Sequence, residues 1–126
     1  LSKSDAFENA LLLLLFNNTN IANIGDATGI RGSTTAGSLY VALHTADPGE
    51  SGNQSTSECA YTGYARQALA RSSGAWTVTG NSVSPNSNVT FGTCTASPGS
   101  PATYASIGIA SSGATMILWS GALSSP

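Results

Sequence analysis

The sequence predicts a mainly β fold: an antiparallel β-sandwich or jelly-roll-like domain with one N-terminal α-helix. Three observations carry that reading. Helical periodicity occurs once, at the start of the chain. Short apolar or alternating runs then recur, separated by Gly, Pro, Ser and Asn turn residues. One of these runs, Leu39–Thr45, is apolar with little relief, which demands cover on both of its faces. The 126 residues suit one domain with a modest core. Within that domain, 1–126, the pattern predicts a helix over about 4–17, an irregular arm over about 18–38 and a β-sandwich over about 39–124.

The helix is read from LSKSDAFENALLLLLFN. Ser2 or Ser4 can cap it, and Asp5 and Glu8 sit near its positive end. Ala6, Phe7, Ala10, Leu11, Leu14 and Leu15 form one apolar face. Leu12, Leu13 and Phe16 widen it nearly all the way round, so one sheet cannot hide every leucine. Leu11, Leu12, Leu13, Leu15 and Phe16, with Ile21 and Ile24 beyond, are therefore candidates for a subunit interface. A bilayer span needs about 20 apolar residues, more than this run supplies. A secretory leader is disfavoured by Asp5 and Glu8, which are acidic where a basic region belongs.

The arm is polar and Gly-rich, with Ile21, Ile24 and Ile30 as its anchors. A connection of this length in a small domain is either an arm to a neighbour or a loop wrapped over the sheet. The Leu39–Thr45 strand follows and is placed at the centre of its sheet. Asp47-Pro48-Gly49 stops it, because proline fixes φ and glycine accepts a positive φ. A polar loop leads to Tyr61–Arg71, read as extended. Trp76–Thr79 is a short strand. Val83 and Asn88–Phe91 are read as another, interrupted by Pro85-Asn86. Thr103–Ala110 alternates Tyr104, Ser106 and Gly108 against Ala105, Ile107 and Ile109, the pattern of a half-buried strand. Thr115–Leu123 is the last strand, with Ile117, Trp119 and Leu123 on one face. The chain stops directly after this strand, so a continuation beyond Pro126 is expected.

Composition excludes several functions. Charged residues make up 8%, against about 25% in an average domain. The 40% hydrophobic content is patterned, which argues against disorder. Lys3, Arg31, Arg66 and Arg71 are scattered and the net charge is −2, which argues against nucleic acid and against an anionic membrane surface. Few surface charges leave a weak guard against association. Cys59 and Cys94 could form one bridge, worth roughly 3–4 kcal/mol in the chain-entropy account, or remain two free thiols. No spacing suited to zinc occurs, and no cofactor is implied.

Candidate catalytic groups fare poorly. His44 with Asp47 and a serine could make a hydrolase triad, but His44 lies inside a strand on the face of Tyr40 and Ala42, and no G-x-S-x-G elbow exists. Asp47, Glu50 and Glu58 could pair for glycoside hydrolysis or bind Ca²⁺, though a turn and solvated loop charges explain them. Tyr40, Tyr64, Trp76 and Trp119 are read as structural aromatics, alongside the structural His44, Asp47, Pro48 and Gly49. Arg66 is assigned a salt bridge to Glu58 or Asp47. The chain is therefore read as no enzyme.

The runs VALHTADPGESG (Val41–Gly52) and AYTGYAR (Ala60–Arg66) are similar to a family of small tailed-bacteriophage virion proteins often labelled tail-fibre-like. The resemblance continues through Trp76, SNVTF (Ser87–Phe91), ATYASIGIASSG (Ala102–Gly113) and LWSGAL (Leu118–Leu123). It implies a virion structural protein assembled in the bacterial host cytoplasm, and brings no catalytic residues. The absence of repeats and heptads disfavours a long fibre. The leading reading is a capsid decoration (cement) protein, trimeric, whose partners are copies of itself and the major capsid or other virion proteins. The alternative is a tail or fibre-attachment protein. A second alternative is a carbohydrate-binding module for a host glycan. Neither nucleic acid nor membrane is an expected partner.

Overall fold

A computed structural model describes residues 2–24, 29 and 32–125. It is mainly β with antiparallel pairing and one helix near the N-terminus, as the sequence predicts. The elements are α1 (Asp5–Asn17), β1 (Ser38–His44), β2 (Gln67–Ala70), β3 (Trp76–Thr79), β4 (Ser82–Pro85), β5 (Tyr104–Gly108) and β6 (Ile117–Ala122). They belong to two compact units, Leu1–Ser38 with Ala70–Asn88, and Leu39–Leu69 with Val89–Pro126.

The first unit is built on α1. Ser4 caps it, its Oγ accepting the Phe7 N–H at 3.3 Å. Asn18 ends it in the left-handed region at φ 57°. The last turn contains no basic residue. Arg71 takes that place from far along the chain, donating from Nε to the Leu15 carbonyl and from a terminal nitrogen to the Leu14 carbonyl, both at 2.7 Å. These carbonyls have no partner inside the helix, and the cation also opposes the negative end of the dipole. Helix α1 packs on the β3–β4 hairpin. Phe16 meets Trp76 edge-on with centroids 4.8 Å apart, and both rings are buried.

This packing divides the apolar side chains of the helix between the chain's own interior and its surface. Leu12, Phe16 and Ile21 are buried within the chain, as is Leu14. Leu11, Leu13 and Leu15 are half-buried, and Ile24 is exposed. Ile30, and residues 25–28 and 31 of the arm, lie outside the described residues. The visible ends of the arm are clipped together: the Asn18 amide accepts the Ser33 N–H and donates to the Ser33 carbonyl, both at 2.7 Å.

The hairpin also differs from the sequence reading. Thr79 pairs with Ser82, so Gly80-Asn81 is a two-residue turn, with Gly80 at φ 59°. That turn sets the register at once, and the partner strand is Ser82–Pro85. Asn88–Phe91 forms no strand. Pro85 is tolerated because it ends a strand of a two-stranded ribbon.

The second unit holds the four-stranded sheet, apart from the end residues Ser38 and Ala70, in the order β2-β1-β5-β6. Strand β1 is an inner strand, which explains its unrelieved apolar sequence; Leu39, Val41, Ala42 and His44 are buried. It pairs with β5 from Tyr40↔Gly108 to His44↔Tyr104. The 61–71 segment is a strand only over Gln67–Ala70, because Gly63 turns the chain at φ 102° and Tyr64 and Arg66 are held by side-chain bonds. Strand β6 comes last in the order, and its Trp119 is 41% exposed.

Candidate functional site

The polar loop after β1 builds an unusual interior. Asp47 Oδ1 accepts the Gly49 N–H at 2.9 Å, Gly49 has φ 69°, and Pro48 is buried, so this tripeptide is a stop signal held by its own side chain. Asn53 makes a second such turn: its Oδ1 accepts the Ser55 N–H at 2.9 Å, and its own N–H donates to Thr56 Oγ1 at 3.0 Å. That turn throws Gln54 inward, where it is fully buried. Residues 57–59 then run beside the end of β1, with the Thr45 N–H on the Ser57 carbonyl at 2.8 Å and the Cys59 N–H on the Leu43 carbonyl at 2.9 Å.

Two polar groups converge beneath the β5–β6 connection, and a third lies further back along β5. Gln54 Oε1 accepts the Ile109 N–H at 3.0 Å, the Ala110 N–H at 3.2 Å and the Thr115 hydroxyl at 2.6 Å. The first two donors lie just past the end of β5 and would otherwise be left without a ladder partner. Gly108 makes this possible, since a side chain there would occupy the space of the Gln54 amide. Arg66 spends all five of its N–H groups. It forms a bidentate pair with Glu58, Nε to Oε1 and a terminal nitrogen to Oε2, both at 2.7 Å. The remaining donors reach the Ala110 carbonyl at 3.0 Å, the Gly113 carbonyl at 2.9 Å and Thr115 Oγ1 at 3.5 Å. Tyr64 completes the knot, donating its hydroxyl to Glu58 Oε1 at 2.9 Å and accepting the Leu43 N–H at 3.1 Å.

Burial alone would raise the Glu58 carboxyl. The hydrogen bonds from Arg66 and Tyr64 and the Arg66 charge outweigh it, so the acid sits below its ordinary value. Burial pushes the Tyr64 phenol well above its usual range, and the neighbouring Glu58 carboxylate adds to this, so it stays a donor. The bond to Glu58 raises the Arg66 guanidinium further. An open cleft of about 300 Å³ lies over Glu58, Arg66 and Ser112. Its one cation, Arg66, is already paired with Glu58.

The third group is a buried pair. His44 Nδ1 lies 2.8 Å from the Thr56 carbonyl, and Nε2 lies 2.7 Å from Ser106 Oγ. A carbonyl only accepts, so Nδ1 carries the proton, and in the neutral ring Nε2 accepts the Ser106 hydroxyl. Histidine and serine are 0% and 2% exposed, so no substrate reaches them from this surface. The place a triad carboxylate would fill is held by a main-chain carbonyl, and Asp47 is occupied in its own turn.

The remaining candidates separate. Tyr61, Tyr64 and Phe91 pack together at 5.4 and 6.0 Å, and Tyr61 donates to the Gly92 carbonyl at 2.9 Å, so these rings support a loop. Tyr40 is half-buried on β1 and Trp76 lies in the first unit. Cys59 is a buried free thiol and Cys94 an exposed one. Burial raises the Cys59 thiol, and the Glu58 charge adds to that. Asp47, Glu50 and Glu58 make no cluster; among the described residues no three His, Cys, Asp or Glu side chains could hold a metal ion. Of the two partners the sequence offers Arg66, Glu58 and Asp47, the structure takes Glu58, and the sequence misses Gln54, Ser106 and Thr115. A lone glutamine in a polar loop carries no signal, and the alternation on β5 is inverted: its Ser106 and Gly108 are buried while Ile109 is 48% exposed.

This arrangement is a scaffold for one hairpin. No helix among the described residues is long and apolar enough to cross a membrane. No curated protein and no solved structure matches the chain. A family model described as Podophage GP4 fiber I protein gp80 matches residues 2–126. The chain therefore belongs to that bacteriophage fibre-protein family and is a structural component of the virion.

Proposed function

We propose that this chain is a tail-fibre or fibre-attachment component, and that it acts by binding other virion proteins and copies of itself. The observation that carries the reading is the fibre-family match over residues 2–126. It favours the fibre position over capsid decoration, which drew on the helix as an exposed leucine surface; part of that surface, Leu12 and Phe16, is buried within the chain. The role is structural and not enzymatic. Supporting this, the groups best suited to chemistry are used as internal ties: Arg66 saturates on Glu58 and loop carbonyls, and the His44–Ser106 pair is sealed. An electron-microscopy map of the intact phage tests the position. Density fitting this fold at the tail or a fibre base is the expected result, and density confined to the capsid shell would refute it.

A further inference from the structure

Gln54 and Thr115 are held against each other twice. The Gln54 N–H donates to the Thr115 carbonyl at 2.8 Å, and the Thr115 hydroxyl lies 2.6 Å from Gln54 Oε1. The glutamine is fully buried, and Gly108 lets its amide lie directly on β5. The same Oε1 accepts the N–H groups of Ile109 and Ala110, at 3.0 and 3.2 Å. Two main-chain donors on one carbonyl oxygen form the arrangement that stabilises an oxyanion when a nucleophile adds to the carbonyl carbon. A threonine hydroxyl is such a nucleophile once its proton can leave. Arg66 places a guanidinium nitrogen 3.5 Å from Thr115 Oγ1, where its positive charge favours the deprotonated oxygen. A nucleophile, an amide, two oxyanion donors and a cation thus meet at one buried point.

From this geometry we infer that Thr115 and Gln54 are the site of an intramolecular ester cross-link. Thr115 Oγ1 bonds to Gln54 Cδ, the Cδ–Nε2 bond breaks, and the hydroxyl proton passes to the departing nitrogen, which leaves as ammonia. No electrons change hands, so the step needs no oxidant or reductant. The main-chain bond between the two residues holds them in place beforehand, which makes the attack unimolecular. Burial of Gln54 keeps out the water that would hydrolyse the ester. The bond joins residues 61 positions apart, fastening β6, the last strand of the sheet, to the loop that follows β1. Such a tie resists pulling in a way that hydrogen bonds do not. The reaction occurs once per chain and consumes the chain's own side chains, so it is a self-modification of a structural protein and not turnover.

Mass spectrometry of the purified chain, incubated folded at neutral pH, tests this. The intact mass should fall below that of the sequence by one ammonia. Trypsin cuts after Lys and Arg, so in the denatured chain it separates Gln54, in residues 32–66, from Thr115, in residues 72–126. These two peptides should stay joined under reducing conditions, which remove any Cys59–Cys94 bridge between the same peptides. Hydroxylamine, which cleaves esters and spares amides, should part them. Thr115→Val should show the full mass and separate peptides, and Thr115→Ser, which keeps the hydroxyl, should restore the cross-link. Circular dichroism reads whether the variants fold, and the wild-type digest is decisive without them. Full mass with separate peptides in the wild type overturns the inference. So does ammonia lost without joined peptides, which is asparagine cyclisation. A joined pair that resists hydroxylamine, or that persists in Thr115→Val, overturns it as well.

Discussion

Arg66 is the residue on which the second unit most depends. Its side chain is 2% exposed, and it joins Glu58 to two loop carbonyls that have no strand partner. A guanidinium can do this because its five donors lie in one planar fork; an ammonium cannot span the same acceptors. Arg66→Lys should therefore lower stability by about 1.5–3 kcal/mol in urea unfolding, despite keeping the charge. Glu58 makes the same site sensitive to acid. Its carboxyl is held below the usual value of 4.5 in the folded chain, so its stabilisation is complete above that pH and is lost as pH falls through the lower folded value. The melting temperature should be level above about pH 5 and fall below about pH 4.5. Glu58→Gln should start from a lower melting temperature at neutral pH and lose that part of the acid-dependent fall. An equal fall in wild type and variant would show that other carboxylates govern the acid limb.

At the scale of elements, α1 was the feature most open to two readings. Five consecutive leucines require cover, but the run itself does not say whether a hairpin of the same chain or another subunit provides it. The β3–β4 hairpin provides much of it, through Trp76 on Phe16. Phe16→Ala should cost about 3–5 kcal/mol, read as a melting shift. Leu12→Glu should unfold the first unit outright, since it leaves a charge in a site only 8% exposed. Retained helicity with normal melting in that variant would return Leu12 to the surface. Strand β1 needed no such arbitration. Its apolar residues on both faces already required neighbours on either side, and it lies between β2 and β5.

For the molecule as a whole, chemistry and architecture point the same way. A Ser–His pair at 2.7 Å is a common start for a hydrolase, but here it is closed from solvent and backed by a carbonyl. The intact chain should show no turnover of esters or glycosides, and His44→Ala should reduce only its melting temperature. Turnover in the wild type that vanishes in His44→Ala would reverse this reading. All of the charge lies at or before Arg71, and its interior members are paired or capping.

What the sequence determined by itself was local or periodic. Ser4 and the leucine period specify the helix, Gly80-Asn81 the hairpin turn, Asp47-Pro48-Gly49 the end of β1, and the apolar run of β1 its inner place in a sheet. Each follows from bonds or sterics within a few residues, or from a repeat that one face must bury. The sequence also narrowed the partner of Arg66 to Glu58 or Asp47, and the structure takes Glu58. What only the tertiary structure decided depends on residues far apart. Arg71 caps a helix 56 positions away, Gln54 ends β5 from 55 positions away, and Ser106 meets His44 across 62. Polar side chains have no periodic signature, and one becomes an interior tie only when the fold brings unpaired main-chain groups to it. For the same reason the alternation on β5 misled: Ser106 and Gly108 are buried because a histidine and a glutamine fill the space beside them, which composition along one strand cannot foretell.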